Sequence, residues 1–177
     1  EAALAWVATS KYQDSLPLYR QAALLGRFGG DLSRNTLAGS MIKVGEAVQP
    51  VINLLRDHLL DAELVFGDET VIQVLKESGR AAQSKSYLWA QMNGSGPPVR
   101  LFGYAPGRGG PHAEQLYAGI REGAVLMSDG YEVYNGIARS HRLIHLGCWA
   151  HTRRYFVEAE AVLPKAARRP DQLATQF

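Results

Sequence analysis

From Leu16 to Phe28 the apolar residues Leu18, Ala22, Leu25 and Phe28 recur at helical spacing, and Gly29 and Gly30 then stop the helix. Asp31 or Ser33 can cap a second helix that runs through Leu37, Met41, Val44, Val48 and Ile52 toward Leu60, with Pro50 predicted to kink or break it. Helix, glycine turn and long helix together resemble a helix-turn-helix, with Arg34 and Asn35 at the N-terminal end where groove-reading residues sit. The alternative is a helical hairpin that only packs.

After Asp61 the period changes from helical to alternating. Residues 62–68 form a first strand with Leu64, Phe66 and Asp68 on one face. Residues 86–93 and 99–104 form the next two, joined by the turn Gly94-Ser95-Gly96-Pro97-Pro98 as an antiparallel hairpin. Beyond the loop 106–110, Pro111 suits the first position of a helix from His112 to Arg121, and Gly123 suits its C-terminal cap. Residues 124–129 are a fourth strand and 143–149 a fifth, with a short helix over 131–138 between them and a long helix over 151–163 after them. Three strands, helix, strand, helix, strand, helix is the order of a ribonuclease H-like α/β fold, a mixed five-stranded sheet flanked by helices, here with an N-terminal helical segment over 1–60 and the core over 61–177.

Composition adds little to this outline: 177 residues, 46% hydrophobic and 20% charged, are ordinary for one folded domain with a helical appendage. Charge is more informative. Residues 136 to 177 carry seven Arg or Lys (Arg139, Arg142, Arg153, Arg154, Lys165, Arg168, Arg169) against Glu158, Glu160 and Asp171, a net +4, which leaves −2 for residues 1 to 135 in a chain of net +2. The C-terminal third is therefore the part that attracts a polyanion, or else a solvated basic helix face. Cys148 is the only cysteine, so no internal disulfide forms and a cytosolic setting is expected. The apolar opening 1–10 has no basic leader and precedes no stretch near membrane-span length, so neither export nor membrane insertion is expected. A first residue Glu1 and a polar run over 168–177 suggest a piece of something longer.

Asp68 and Asp129 each close a predicted strand, on a face shared with apolar neighbours two and four residues earlier. If the first and fourth strands pair in parallel, neighbours about 4.8 Å apart bring the two carboxylates together above the sheet edge. Two such charges repel, and Mg2+ or Mn2+, hard cations that prefer oxygen ligands, relieves the repulsion. In a two-metal site one ion activates the attacking oxygen and the other stabilises the leaving oxygen. The plainer alternative is that both aspartates cap helices or form turns.

Five segments then stand out: KYQDSLPLYRQ at 11–21, LSRNTLAG at 32–39, GDET at 67–70, SDGYEVYN at 128–135 and CWAHTRRYF at 148–156. Together, and in this order over almost the whole chain, they resemble the insertion sequence 66 transposase family. The resemblance implies a DDE transposase that hydrolyses DNA phosphodiesters at element ends and joins the 3′-hydroxyls to target DNA, working as a homo-oligomer on DNA in the bacterial cytoplasm, at the nucleoid. It implies Asp68 and Asp129 as the first two catalytic acids and metal ligands. The family's third acid lies farther along, in a segment of the type Asn-Asn-x-x-Glu-Arg that this chain lacks, which leaves Glu158 and Glu160 as local candidates. The zinc-binding N-terminal region typical of the family is also absent from this sequence.

Cys148 and His151, three apart, are either half of a zinc site or a pair bracing the active site. Arg153 and Arg154 follow closely enough for at least one to reach a phosphate, with a solvated helix face as the alternative. Tyr131, Tyr134 and Trp149 are candidates for stacking on bases or for the core, and Arg108 and His112 flank a glycine loop that can meet DNA. Glu69 is expected to point away from the metal, because strand neighbours alternate faces. The glycines at 107–110 lack the Lys-Ser or Lys-Thr of a phosphate loop, which argues against nucleotide binding. Two rivals remain: a remnant that keeps the fold and binds or assembles on DNA without turnover, and a generic ribonuclease H-like nuclease.

Overall fold

The computed structural model describes residues 1–165, 169 and 171. The element order is α1 (Ala2–Tyr12), α2 (Leu18–Arg27), α3 (Arg34–Leu60), β1 (Leu64–Gln73), β2 (Lys85–Asn93), β3 (Arg100–Ala105), α4 (Gly110–Tyr117), β4 (Val125–Ser128), α5 (Glu132–Ser140), β5 (Ile144–Gly147) and α6 (Trp149–Val162). The chain divides into two compact units, Glu1–Leu54 and Leu55–Phe177. Arg168, counted above in the basic third, lies outside the described residues.

In the first unit Val7, Leu37 and Met41 form a small core with Leu18, Ala22, Leu25 and Val44 against it. The α2 helix ends as its glycines dictate: Gly29 takes φ +83°, the Gly30 N–H donates to the Leu25 carbonyl at 2.9 Å and the Gly29 N–H to Gly26 at 3.2 Å, a Schellman closure. Ser33, one of the two expected caps, accepts the Thr36 N–H at 3.1 Å. Two features differ from expectation. An added helix, α1, precedes the hairpin; its residues are apolar nearly all round, so no helical period marked it. Of the kink or break expected at Pro50, the break does not occur: α3 continues from Arg34 to Leu60, because a proline deletes one backbone hydrogen bond while the turns on both sides persist. Gln21 is fully buried and donates to the carbonyls of Leu16 (2.9 Å) and Val7 (3.3 Å), tying α2 to the preceding turn and to α1.

The second unit holds the expected mixed five-stranded sheet, in the order β3-β2-β1-β4-β5. β1 pairs antiparallel with β2 and parallel with β4; β2 pairs antiparallel with β3, and β4 parallel with β5. One face packs on α4 and α5 through Val65, Trp89, Leu126, Tyr117, Tyr134 and Ile137. The other carries Phe66, Met92, Phe102 and Met127 and lines an open groove of about 290 Å³. Asn93 shapes the hairpin turn, accepting the Val99 N–H at 2.7 Å and donating to the Ser95 and Pro97 carbonyls.

Several boundaries move. β1 continues to Gln73, so Asp68 lies inside the strand rather than at its end, because pairing with β2 extends to Gln73–Lys85 after pairing with β4 has stopped. α4 ends at Tyr117, with Pro111 in second place after Gly110, and Gly123 instead lies within the turn into β4, closed by the Ala124 N–H on the Arg121 carbonyl. β5 stops at Gly147, and Trp149 opens α6 rather than closing the strand.

Gly67 sits where the core comes closest to the sheet: a Cβ there would lie 2.1 Å from the Tyr117 hydroxyl and 3.0 Å from a Tyr134 ring carbon. Gly67→Ala should therefore cost about 1–3 kcal/mol by overpacking. Tyr117→Phe, which removes a hydroxyl buried without a well-formed hydrogen bond among the described residues, should recover part of that loss in the double variant. Urea denaturation of the three variants measures both effects; a Gly67→Ala midpoint equal to wild type would contradict the packing.

Candidate active site

Phe66 and Met127 form the last rung between β1 and β4, and the two candidate acids each lie two residues beyond it. Alternation puts Asp68 on the open face with Phe66, where it lines the groove with Arg100, Met127, Cys148 and His151. Its Oδ1 accepts the Glu69 N–H at 2.9 Å, and its Oδ2 stands 3.8 Å from His151 Nε2. Asp129 follows β4 directly. Its Oδ1 accepts the Tyr131 N–H at 2.9 Å, and its Oδ2 stands 3.8 Å from an Arg108 terminal nitrogen. Each carboxylate thus has one oxygen fixed by a backbone N–H and one not taken by a direct hydrogen bond, facing a nitrogen at 3.8 Å.

Glu69 turns to the covered face, as strand alternation requires, and its side chain is 1% exposed. Oε2 accepts the Tyr134 hydroxyl at 2.6 Å; Oε1 accepts Arg108 Nε at 2.7 Å and also contacts a terminal nitrogen of the same guanidinium. Arg108 in turn stacks 3.8 Å above the Tyr131 ring, whose hydroxyl donates to the Arg108 carbonyl at 2.9 Å. Burial disfavours the Arg108 charge, but the hydrogen bond and charge of Glu69, helped by Tyr131 and Asp129, leave its pKa above the ordinary value. Burial raises the Tyr134 phenol far above its usual range, with Tyr117, Glu69 and Asp129 adding to it, so it remains a donor.

A second chain of hydrogen bonds supports the turn at Asp129. Ser128, 1% exposed, shares a 2.8 Å hydrogen bond with His145 Nε2 and donates to the Asp129 carbonyl at 3.0 Å. His145 Nδ1 meets Asn135 Oδ1 at 2.8 Å. The Cys148 N–H donates to the Ser128 carbonyl at 2.8 Å, which joins the start of α6 to the same strand end. Ser128, His145 and Asn135 form a serine-histidine-amide series, but the burial of Ser128 makes it a brace rather than a nucleophile.

The other expected residues separate clearly. Tyr134 is wholly buried among Trp89, Tyr117 and Tyr131, so it belongs to the core and not to a stacking surface. Trp149 is 71% exposed at the start of α6. Arg153 and Arg154 are exposed on α6; Arg154 lies three residues beyond His151, on nearly the same side of the helix, and Arg153 lies nearly opposite. Glu158 and Glu160 are seven and nine residues beyond His151, roughly 10 and 14 Å along the helix axis at 1.5 Å per residue, and only Glu158 shares its side. Arg34, in the other unit, is exposed at the start of α3 and borders a shallow groove with Tyr19, Ser33 and Asn35. Among the described residues no three His, Cys, Asp or Glu side chains form a metal-holding cluster, and Cys148 with His151 acquires no zinc partners there.

Comparison with known proteins decides the family. The family described as "Transposase IS66 family" matches residues 1–177. The chain belongs to that family. It is 35% identical to the uncharacterized protein y4qI of Sinorhizobium fredii (strain NBRC 101917 / NGR234) over 89% of this chain and 31% of that protein. It is 31% identical to y4hP of the same strain over 93% of this chain and 31% of that protein, and 32% identical to y4jD over 87% and 32%. The chain thus spans about a third of the length of these relatives. No solved structure matches it significantly.

Sequence reasoning gave no role to Ser128 or Asn135, and it missed the supporting roles of His145 and Glu69. The signal was present in SDGYEVYN, in which the side chains of Ser128, Asp129, Tyr131, Tyr134 and Asn135 all make hydrogen bonds. Tyr134→Phe leaves the buried Glu69 carboxylate short of a donor and should cost about 1–3 kcal/mol at neutral pH. The folded phenol titrates above the unfolded value of about 10, so its stabilising effect is complete below that pH and is lost as pH rises beyond it. Denaturation curves from neutral to alkaline pH should therefore show a lower plateau and a flatter alkaline decline in Tyr134→Phe than in wild type.

Proposed function

We propose that this chain is the central, ribonuclease H-like part of a DDE transposase, which uses Asp68 and Asp129 to hold Mg2+ or Mn2+ and acts on DNA phosphodiesters at the ends of an insertion sequence. The observation that carries the reading is the shared position of the two aspartates, each two residues past the last rung of the parallel β1–β4 pair. The sheet order β3-β2-β1-β4-β5, with one parallel and one antiparallel partner for β1, supports the fold assignment.

The donor set fits a hard divalent cation. Each aspartate offers an oxygen not taken by a direct hydrogen bond, which suits an ion that prefers carboxylate oxygen and keeps water or phosphate in its other positions. Such ions would lower the barrier by activating the attacking oxygen and neutralising the leaving one. The chain's own contribution is orientation. The Glu69 and Tyr131 N–H groups fix the two carboxylates, and the Ser128–His145–Asn135 series holds the strand end that carries Asp129. Arg108 and Arg154 offer cations to the DNA backbone, Trp149 an exposed ring, and Arg34 a separate contact from the helical unit. His151 and Cys148 brace the groove beside Asp68. Pairing of two element ends calls for a homo-oligomer on DNA, at the bacterial nucleoid.

One observation favours a second reading, a DNA-binding or assembly piece without turnover: no third acid joins the two aspartates among the described residues. Under the first reading that acid comes from sequence outside this chain, since Glu158 and Glu160 lie two turns or more beyond His151. A manganese-dependent nicking assay on end-bearing DNA separates the two. It should be run on a full-length relative carrying the counterpart substitutions and, in parallel, as Mn2+ titration of this chain. Asp68→Asn and Asp129→Asn should each weaken Mn2+ binding at least about tenfold and abolish nicking. Equal nicking and equal Mn2+ affinity in wild type and both variants would remove the aspartates from the chemistry.

A further inference from the structure

We infer that Glu69 is a positioning residue: buried behind the sheet, it holds the Arg108 guanidinium beside Asp129 with its outward N–H groups turned to receive a phosphate of bound DNA. The inference rests on the DNA reading given above and deepens it. A buried carboxylate is unfavourable unless it is paired and fully hydrogen-bonded, and both Glu69 oxygens are matched, one by Tyr134 and the other by Arg108. Arg108 comes from the loop before α4, between Gly107 and Gly109, a segment whose backbone does little to fix a side chain. Glu69 below, the Tyr131 ring at 3.8 Å and the Tyr131 hydroxyl on the Arg108 carbonyl supply that rigidity.

The guanidinium has five N–H donors, and Glu69 engages only its Nε and one terminal nitrogen. Its side chain remains 40% exposed, so the pair is closed on the Glu69 side and open on the other. An arginine held in this way loses little conformational freedom when a phosphate arrives. Its placement 3.8 Å from Asp129 Oδ2 puts that phosphate at the same end of β4 as the catalytic candidate.

Charge counting alone opposes this prediction, which makes it discriminating. Removing a negative charge should tighten binding to DNA; removing the support of Arg108 should weaken it. The test is the salt dependence of binding between the 177-residue chain and a fluorescently labelled DNA duplex, for wild type, Glu69→Gln, Arg108→Ala and the double variant. Arg108→Ala should lower the slope of log affinity against log salt by about 0.9, the value for one phosphate contact. Glu69→Gln should lower it by a similar amount, and the double variant should bind no more weakly than Arg108→Ala. Glu69→Asp, which keeps the charge but shortens the reach to Arg108 and Tyr134, should behave like Glu69→Gln, and it serves if Glu69→Gln fails to fold by circular dichroism.

Glu69→Gln binding as well as or better than wild type, additive losses in the double variant, or wild-type binding by Glu69→Asp would each overturn the positioning role alone. Absence of duplex binding by wild type at low salt would overturn the DNA reading and this inference together.

Discussion

Consecutive residues of a strand must face opposite sides of the sheet, and at Asp68 and Glu69 this rule separates two adjacent carboxylates into different environments. Asp68 meets the open groove and His151; Glu69 enters the covered face and is enclosed by Tyr134 and Arg108. The division works only because β1 has outrun its parallel partner. Past Phe66 and Met127, β1 continues on β2 alone, while β4 ends in the turn that carries Asp129. Asp68 and Asp129 each lie two residues past that last shared rung, and most of their supports join one of these two strand ends to a neighbouring element.

Those supports come from three directions. The loop 106–109 reaches Glu69 and Asp129 through Arg108; α5 reaches Glu69 through Tyr134 and His145 through Asn135; β5 and the start of α6 reach Ser128 through His145 and Cys148. Several of these groups are largely buried, where an unmatched partner is costly, so displacing one bond strains the next. The result is a rigid base with freer groups above it, namely Asp68, the outer side of Arg108, Arg154 and Trp149. Preorganisation of that kind suits phosphoryl chemistry, in which placement and charge account for most of the catalysis.

Much of this could be read from the chain before its coordinates. Alternation over 64–68 and the hairpin 86–104 revealed the sheet, and helical spacing with glycine stops revealed α2, because each pattern reflects one face buried and one exposed. α1 escaped notice because apolar residues surround it, and the length of β1 escaped because its far half is held by β2 rather than by a hydrophobic period. At the site, the two aspartates stood out as acids beside apolar runs. The network beneath them did not, since Glu69, Arg108, Tyr134 and His145 are far apart in sequence and their partnership exists only once the strands and the 106–109 loop are folded together. Tyr134 was ambiguous for the same reason: a tyrosine in a polar stretch looks like a surface ring until its hydroxyl is found on a buried carboxylate.

The central claim is that Asp68 and Asp129 serve one metal site, and anomalous scattering from a crystal of this protein soaked in Mn2+ tests it most directly. The account predicts a manganese peak within bonding distance, about 2.0–2.3 Å, of oxygens from both aspartates. A peak bound to only one of them, or manganese bound elsewhere with both carboxylates empty, would contradict it.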